Sequence, residues 1–435
     1  MDNPNVWSDR VMRKAERKAH GRLVAVRRGV LGLAAAALLF TVAACDSLLE
    51  VEIPGAVSEE DLDNPAMAVP LFNSGLGAFE CAFANYVATV GVLTEEYIVS
   101  SAWLADNIWG WRGIETREAD GDCPNNRNAP GFGAYTPLQQ ARFLIESTID
   151  RISRFDASAV PGKEQMVTTL HAYAGYTYTL LGEGFCEMAI DQGPLMQPHE
   201  VLARAEEYFT TAIERSGSSG DQDIRLLALL GRARVRLNLG NTAGALADAR
   251  EIPPGWRYNA NYSTVQPIRE NRVYNVTVRN YFLSVSPNYR GLTVGGQPDP
   301  RVPVEFSGQF GHDGTTEHWI QRKYRSADAP IPIASWEEAK LIIAEALGGA
   351  QAIAEINELR AAQGIPPLEN PDASNMLPVI LEERRRQLFS EGHRLNDMLR
   401  HNMPFPTGTN HKGQTYGPTT CLWLPDQERN NNPNL

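Results

Sequence analysis

What is missing from this 435-residue chain closes off several chemistries at once. It has no Cys-x-x-Cys pair and no cluster of Cys with His, so the common zinc-ligand spacings are absent and no metal is expected. It has no Gly-x-Ser-x-Gly elbow and no glycine loop of the phosphate-cradling kind, so neither a serine hydrolase nor a nucleotide cofactor is indicated. The eight histidines are scattered. His393 sits in a helical stretch whose charged neighbours can satisfy it, and His312 and His318 flank a Gly-rich turn without a third ligand. Acidic pairs such as Glu95-Glu96 and Glu382-Glu383 are adjacent in sequence. A glycosidase instead needs two carboxyls held about 5–9 Å apart across a cleft, and nothing selects such a pair. Positive charge is scarce too. Net charge is −12, and the residues before Cys45 hold eight basic and three acidic side chains. Taking these from totals of 40 and 52 leaves 32 and 49, a net of −17. A body this acidic argues against nucleic acid and against a polybasic membrane-surface mode.

A long membrane-spanning run is also lacking near the N-terminus. Gly29–Ala44, "GVLGLAAAALLFTVAA", gives 16 apolar or small residues after Arg27 and Arg28, where a spanning helix needs roughly 20. The basic-then-apolar order fits an export signal. The run closes on Val42-Ala43-Ala44 directly before Cys45, which resembles a bacterial lipobox. In that reading residues 1–44 are a lipoprotein signal peptide, Cys45 is acylated, and residues 45–65 form an acidic, Pro-marked tether. A signal peptide cut without lipidation and a short anchor helix are the alternatives. Export permits disulfides. The four remaining cysteines, Cys81, Cys123, Cys186 and Cys421, allow three pairings or free thiols; Cys81 and Cys123 lie in one region.

Residues 64–104 are apolar, mostly free of Pro after position 70, and read as one or two packed helices. Residues 106–137 are rich in Gly, Asn, Asp and Pro and read as a long loop of the kind that often carries function. From Leu138 to Arg250 the three- and four-residue spacing of apolar positions predicts helices. Ala174, Gly175, Tyr178 and Gly182, followed by Ala205, Phe209 and Ala212, fit a tetratricopeptide-type helix pair. Small residues there let helices approach and the aromatic fills the gap. Leu239-Gly240 and Ala245-Leu246 offer a looser second match. Arg272–Val285 alternates and reads as strand, and the segment after it as turns. Ser335 and Glu338 form a capping box ahead of another helix. Leu381, Leu388, Leu395 and Leu399 mark one last helix over residues 378–401, with Glu382 and Arg386 paired along it.

The order of these pieces resembles the SusD/RagB family of outer-membrane nutrient-binding lipoproteins over the whole mature length. "ASWEEAKLIIAEAL", "INELRAAQGIPPL" with Asn357, Arg360, Gly364 and Pro366, and "ILEERRRQLFSEGHRLNDMLRH" carry most of the likeness. Asp299-Pro300-Arg301, Lys323-Tyr324 and the final "LPDQERNNNPNL" support it. The resemblance implies a mainly α fold: residues 66–435 as one SusD-like domain, its tetratricopeptide-like scaffold mainly in 138–250 and 335–400. Long loops and a small β-containing excursion, mainly 100–137 and 251–333, would make the ligand face. It implies a protein lipid-anchored to the outer membrane and facing the exterior, without enzymatic activity or cofactor. Its partners would be a TonB-dependent, SusC-like transporter that it caps as a lid, and an oligosaccharide or peptide ligand. The family fold also brings the Cys186 insertion close to the C-terminal tail, which suggests Cys186–Cys421 alongside Cys81–Cys123. A helical-repeat envelope scaffold without a small ligand, or a surface hydrolase, are the alternatives.

The residues themselves single out "AWLADNIWGWRGIETR" for binding. Trp103, Trp109 and Trp111 share no helical face, so a core stripe does not explain them. Their indoles can stack on sugar faces or peptide side chains, with Asp106, Asn107 and Arg112 supplying hydrogen bonds. Trp256, Trp319 and Trp423 are expected to be packing residues, and the Glu382–Arg386 run a solvated or scaffold-supporting face.

Overall fold

The computed structural model describes residues 59–124 and 126–435. The signal segment, Cys45 and most of the tether lie outside the described residues. Asp63–Leu435 forms one compact unit, mainly helical, with two-stranded ladders between the helices.

Small residues set the spacing of the scaffold. The helices Lys163–Gly184, Pro198–Ser219 and Gln222–Asn238 pack in succession. Phe209 is fully buried between two glycines of its neighbours. A Cβ on Gly175 would meet its ring at 2.6 Å, and one on Gly231 at 2.3 Å. Gly182 accepts Leu202 in the same way, at 2.7 Å. Glycine is thus required here by close approach, and the aromatic fills the gap. Asp221 caps the third of these helices, accepting from the Ile224 N–H at 3.1 Å. The helix Ala68–Leu93 is single rather than double. With the turn before it, Pro65–Leu93 is apolar and long enough to cross a membrane by length and composition, yet 83% of its most apolar 18-residue window is buried inside the fold, as in a core helix.

Three expected elements differ. Leu104–Gly110, inside the expected loop, is a short helix. Arg272–Tyr274 is a helical turn that runs into a π-helical turn, Asn275–Arg279; only Leu283–Val285 is strand. Asn271 starts it by accepting from the Tyr274 N–H at 3.0 Å, and Val273, Val276 and Thr277 go to the core at helical spacing. The last helix is two, Leu377–Gln387 and Arg394–Arg400. Between them Ser390 and Gly392 take positive φ, 64° and 86°. That bend drives Phe389 against Tyr289, with ring centroids 5.0 Å apart. Glu96 accepts from the Ser390 N–H at 2.9 Å, while Lys323 and Tyr324 donate to the Phe389 and Ser390 carbonyls at 2.8 and 2.9 Å.

The capping box at Ser335 is half formed. Ser335 accepts from the Glu338 N–H at 3.2 Å. The Glu338 carboxylate is buried instead, 3.9 Å from both Arg234 and His393. Burial, with Arg234 and Arg384 nearby, holds His393 well below the usual histidine range and hence neutral. The Glu382–Arg386 run is divided: Glu382 bonds Arg385 and Arg386 at 2.7 Å, whereas Glu383 and Arg384 are buried.

Candidate functional site

A cleft of 780 Å³ opens where four segments meet, within the size range of small-ligand sites. Ile98 and Ser101–Trp111 give one wall, Pro287 and Arg290 a second, Asp313–Glu317 a third, and His411–Gln414 a fourth. Local pairing explains the meeting. Strand Tyr97–Val99 lies antiparallel to Leu283–Val285. Beyond it, the Ser100 carbonyl accepts from the Asp313 N–H at 2.9 Å. Gly311 presses on Ser100 so closely that a Cβ there would sit 2.3 Å from it. His411 reaches the Val99 carbonyl at 3.0 Å.

Lys412 joins three of the walls. Its ammonium donates to the Ser101 carbonyl at 2.8 Å and the Asn107 Oδ1 at 2.9 Å, and pairs with Asp313 at 2.8 Å. An ammonium has three protons, so this one is fully used. Asp313 also accepts from the Thr315 and Thr316 N–H groups at 2.9 and 2.8 Å and from the Thr316 hydroxyl at 2.7 Å. Burial pushes its carboxyl up, but Lys412 and these donors outweigh that and hold it down at about 2. The cleft wall therefore carries an ionised carboxylate with no proton to give. Among the described residues Arg290 has no carboxylate partner within ion-pair distance; it donates to the Val285 carbonyl at 2.8 Å and lies 5.1 Å over the Trp319 ring.

The six residues expected to bind separate into two groups. Asn107 and Trp111 line the cleft, and Trp103 stands at its rim, 49% exposed and stacked on His312 at 5.9 Å. Asp106, Trp109 and Arg112 turn inward, which corrects their expected role. Asp106 is fully buried and accepts from the Gly131 N–H at 2.5 Å. Trp109, 2% exposed, meets Phe132 edge-on at 6.4 Å. Arg112, with φ at 55°, is buried between the rings of Phe405 and Tyr416 and donates to the Pro406 and Thr419 carbonyls. The short helix Leu104–Gly110 carries both groups: Asp106, Asn107 and Trp109 are buried along it, with Asn107 reaching the cleft floor, and Trp103 and Trp111 stand at its two ends. Trp256, Trp319 and Trp423 are all partly exposed, and each indole N–H donates to a side-chain oxygen.

Two disulfides secure these walls. Cys81–Cys123 ties the Gly113–Ala134 segment to the core helix, and Cys186–Cys421 ties the tail that carries His411 and Lys412 to the scaffold. Beside the second, the Cys186 N–H donates to the Leu422 carbonyl at 2.9 Å and the Leu422 N–H to the Gly184 carbonyl at 2.8 Å. The contribution of the tail was not foreseen. Asp313, Glu317, His411, Lys412 and Gln414 have one common mark in the sequence, polar turns bounded by glycine: "GHDGTTE" and "GTNHKGQ"; Arg290 stands outside both, just before Gly291. Among the described residues no group of three or more His, Cys, Asp or Glu could hold a metal ion.

In sequence, residues 338–434 match the SusD family. The fold matches a SusD-like carbohydrate-binding protein from Bacteroides vulgatus ATCC 8482 with a TM-score of 0.62 at 15% identity, over 86% of this chain and 97% of that one. It also matches a laminarin-binding SusD-like protein (TM-score 0.59, 16% identity, 82% and 96% covered). A third match is surface glycan-binding protein A from Bacteroides fluxus (0.62, 14%, 81% and 94%). No curated protein matches significantly. The expected resemblance thus holds in sequence over the C-terminal segment and in fold over most of the chain, and the architecture is the mainly α, tetratricopeptide-like one of SusD-like structures.

Proposed function

We propose that this chain is a glycan-binding protein that works without turnover, holding an oligosaccharide in the cleft around Asn107, Trp111, Arg290 and Asp313. The observation that carries the reading is the make-up of that cleft. Indoles at its wall and rim offer flat apolar faces, the Arg290 guanidinium, the Thr315 hydroxyl and the Gln414 amide line it with directional hydrogen-bonding groups, and the Asp313 carboxylate is fully engaged. Stacking with a few fixed polar groups suits a neutral polyhydroxylated ligand. A general acid for glycoside cleavage needs a raised pKa, and Asp313 is displaced in the opposite direction. The glycan-binding descriptions of the matched structures support the same ligand class.

In this reading residues 1–44 are removed, Cys45 carries the lipid, residues 45–65 are the tether and residues 66–435 the binding domain. Several acyl chains on one residue give stable anchoring where one does not. The protein then sits on the outer membrane, facing outward, as the lid of a TonB-dependent transporter. Titration of the soluble domain with laminarin, soluble starch, xylan, galactomannan and a peptide digest tests the ligand. Binding of at least one glycan, weakened by Trp111→Ala, is expected; binding of peptides alone, or of nothing, overturns the reading. Mass spectrometry of the mature chain, with fractionation of a Cys45→Ser variant, tests the anchor. Affinity capture from detergent-solubilised membranes tests the transporter.

A further inference from the structure

A second cavity, of 620 Å³, opens between the helices Leu377–Gln387 and Arg394–Arg400 and the turn Pro287–Tyr289. It shares no lining residue with the cleft: Pro287 and Arg290 serve the cleft, Asn288 and Tyr289 this cavity. Along the two helices the arginines pair off with carboxylates. Arg384 pairs with Asp397 and Arg400 with Glu345, while Arg385 and Arg386 share Glu382. Arg394, which lines the cavity, is the exception. Among the described residues no carboxylate lies within ion-pair distance of it, and its hydrogen-bond contact is the Met403 Sδ at 3.8 Å. A thioether is a weak acceptor, so the guanidinium keeps most of its donors.

Tyr289 supplies a second unmet group. Its side chain is 3% exposed and lines the cavity, and its hydroxyl is buried without a hydrogen-bond partner. The Phe389 ring stacks on it, and the Arg385 guanidinium lies over the ring at 4.7 Å, facing the ring rather than the hydroxyl. Burial and Glu96 push the phenol up while Arg394 and Arg385 act against them, so the hydroxyl sits in the field of both guanidiniums. A buried hydroxyl left unpaired is costly, and rare for that reason. The remaining lining is largely apolar: Leu377, 42% exposed, with Pro378, Leu381 and Met403. Two guanidiniums against the one carboxylate of Glu382 make this a cationic pocket on an otherwise acidic chain.

We infer that this cavity binds a small organic carboxylate, with Arg394 and the Tyr289 hydroxyl donating to its oxygens and Leu377, Pro378, Leu381 and Met403 holding its apolar body. A guanidinium matches the two oxygens of a carboxylate. Glu382 repels a second negative charge, so a monoanion fits better than a phosphate dianion. Calorimetric titration of the full-length protein with benzoate, phenylacetate, phenyl phosphate and uncharged benzamide tests the site. Saturable binding of benzoate or phenylacetate is expected, at least tenfold tighter than that of benzamide or phenyl phosphate. Arg394→Gln is expected to weaken it about tenfold and Arg394→Lys by less. Tyr289→Phe keeps the ring between Phe389 and Arg385 and is expected to weaken it about threefold. Thermal transitions check that the variants fold; where Arg394→Gln does not, Tyr289→Phe decides, and unchanged affinity there overturns the inference. So do failure of both acids to bind, equal binding of benzamide, and a folded Arg394→Gln protein that binds as the wild type does. Tighter binding of phenyl phosphate than of benzoate overturns the assignment to a carboxylate. None of these outcomes depends on what the cleft holds, because the two cavities have no lining residue in common.

Discussion

Replacing Lys412 with Met tests whether the ammonium is a structural pin or a ligand-facing charge. The substitution removes the donor from the Ser101 carbonyl, the Asn107 amide oxygen and the Asp313 carboxylate together. The side chains of Lys412 and Asp313 are 17% and 8% exposed, between the surface regime, where a pair is worth about 0–1 kcal/mol, and the buried one, where breaking it costs about 3–5. A second route starts from the carboxyl itself, held down from 3.8 to about 2. At about 1.4 kcal/mol per pKa unit this is about 2.5 kcal/mol favouring the ionised form, of which Lys412 supplies the leading share and the threonines the rest. The expected cost of Lys412→Met at neutral pH is therefore about 2 kcal/mol. The sign follows from the depressed value: this stabilisation is present above pH ~3.8 and is lost as pH falls through about 2. Denaturant unfolding measures the cost, and carboxyl-detected NMR titration should show Asp313 moving upward. A double-mutant cycle with Asp313→Asn isolates the pair. A cost under about 0.5 kcal/mol with Asp313 unmoved would refute the reasoning and leave Lys412 free to meet ligand.

Three further outcomes are expected. Gly231→Ala places a methyl 2.3 Å from the Phe209 ring, so it should cost about 1–3 kcal/mol of overpacking in denaturant unfolding, partly recovered by Phe209→Leu. Glu96 is buried with one carboxylate oxygen lacking a hydrogen bond, and burial pushes its carboxyl up to about 7. An acid with a raised pKa binds its proton more tightly when folded, so it destabilises as pH climbs from its unfolded value toward 7. The stability of Glu96→Gln relative to wild type should rise from near zero at pH 4.5 to about 3 kcal/mol above pH 7; a difference flat in pH would contradict the shift. Trp111→Ala should lower glycan affinity about tenfold with little change in stability, whereas Trp109→Ala should cost about 3–5 kcal/mol of stability. The reverse pattern would exchange their roles.

The scaffold was legible where one physical cause dominates. Gly175, Gly182 and Phe209 follow from helices that must approach closely, and the structure places them in that relation. Legibility failed where two signals compete. Arg272–Val285 carries β-branched residues, but Val273, Val276 and Thr277 keep helical spacing beneath an Asn271 cap. The leucines at 381, 388 and 395 keep a seven-residue interval that conceals the break at Ser390 and Gly392. The Leu104–Gly110 helix was hidden because its buried face holds Asp106, Asn107 and Trp109 while Leu104 is exposed, an inverted amphipathic pattern.

The segments that carry the family resemblance explain why the ligand was harder to read than the fold. Arg360 bonds Glu383 through two nitrogens at 2.6 and 3.1 Å. Glu383 accepts from Arg301 at 2.7 Å, and Arg301 returns to Asp299 at 2.8 Å. Arg384 bonds Asp397 at 2.9 Å, and the Asn357 amide oxygen accepts from the Leu368 N–H at 2.8 Å. All of these groups join helices and turns, and none lines the cleft. Removing one partner from such a buried pair leaves an uncompensated charge, a cost of about 3–5 kcal/mol. Each is therefore constrained by the scaffold, whatever the ligand. The cleft is lined from the short helix and its flanks at 101–111, from Pro287 and Arg290, and from turns at 313–317 and 411–414, none of which belongs to those pairs. Two chains of this architecture can share every such ion pair and differ in ligand, so the identity of the proposed ligand has to be sought in Trp111, Arg290 and the other residues that line the cleft.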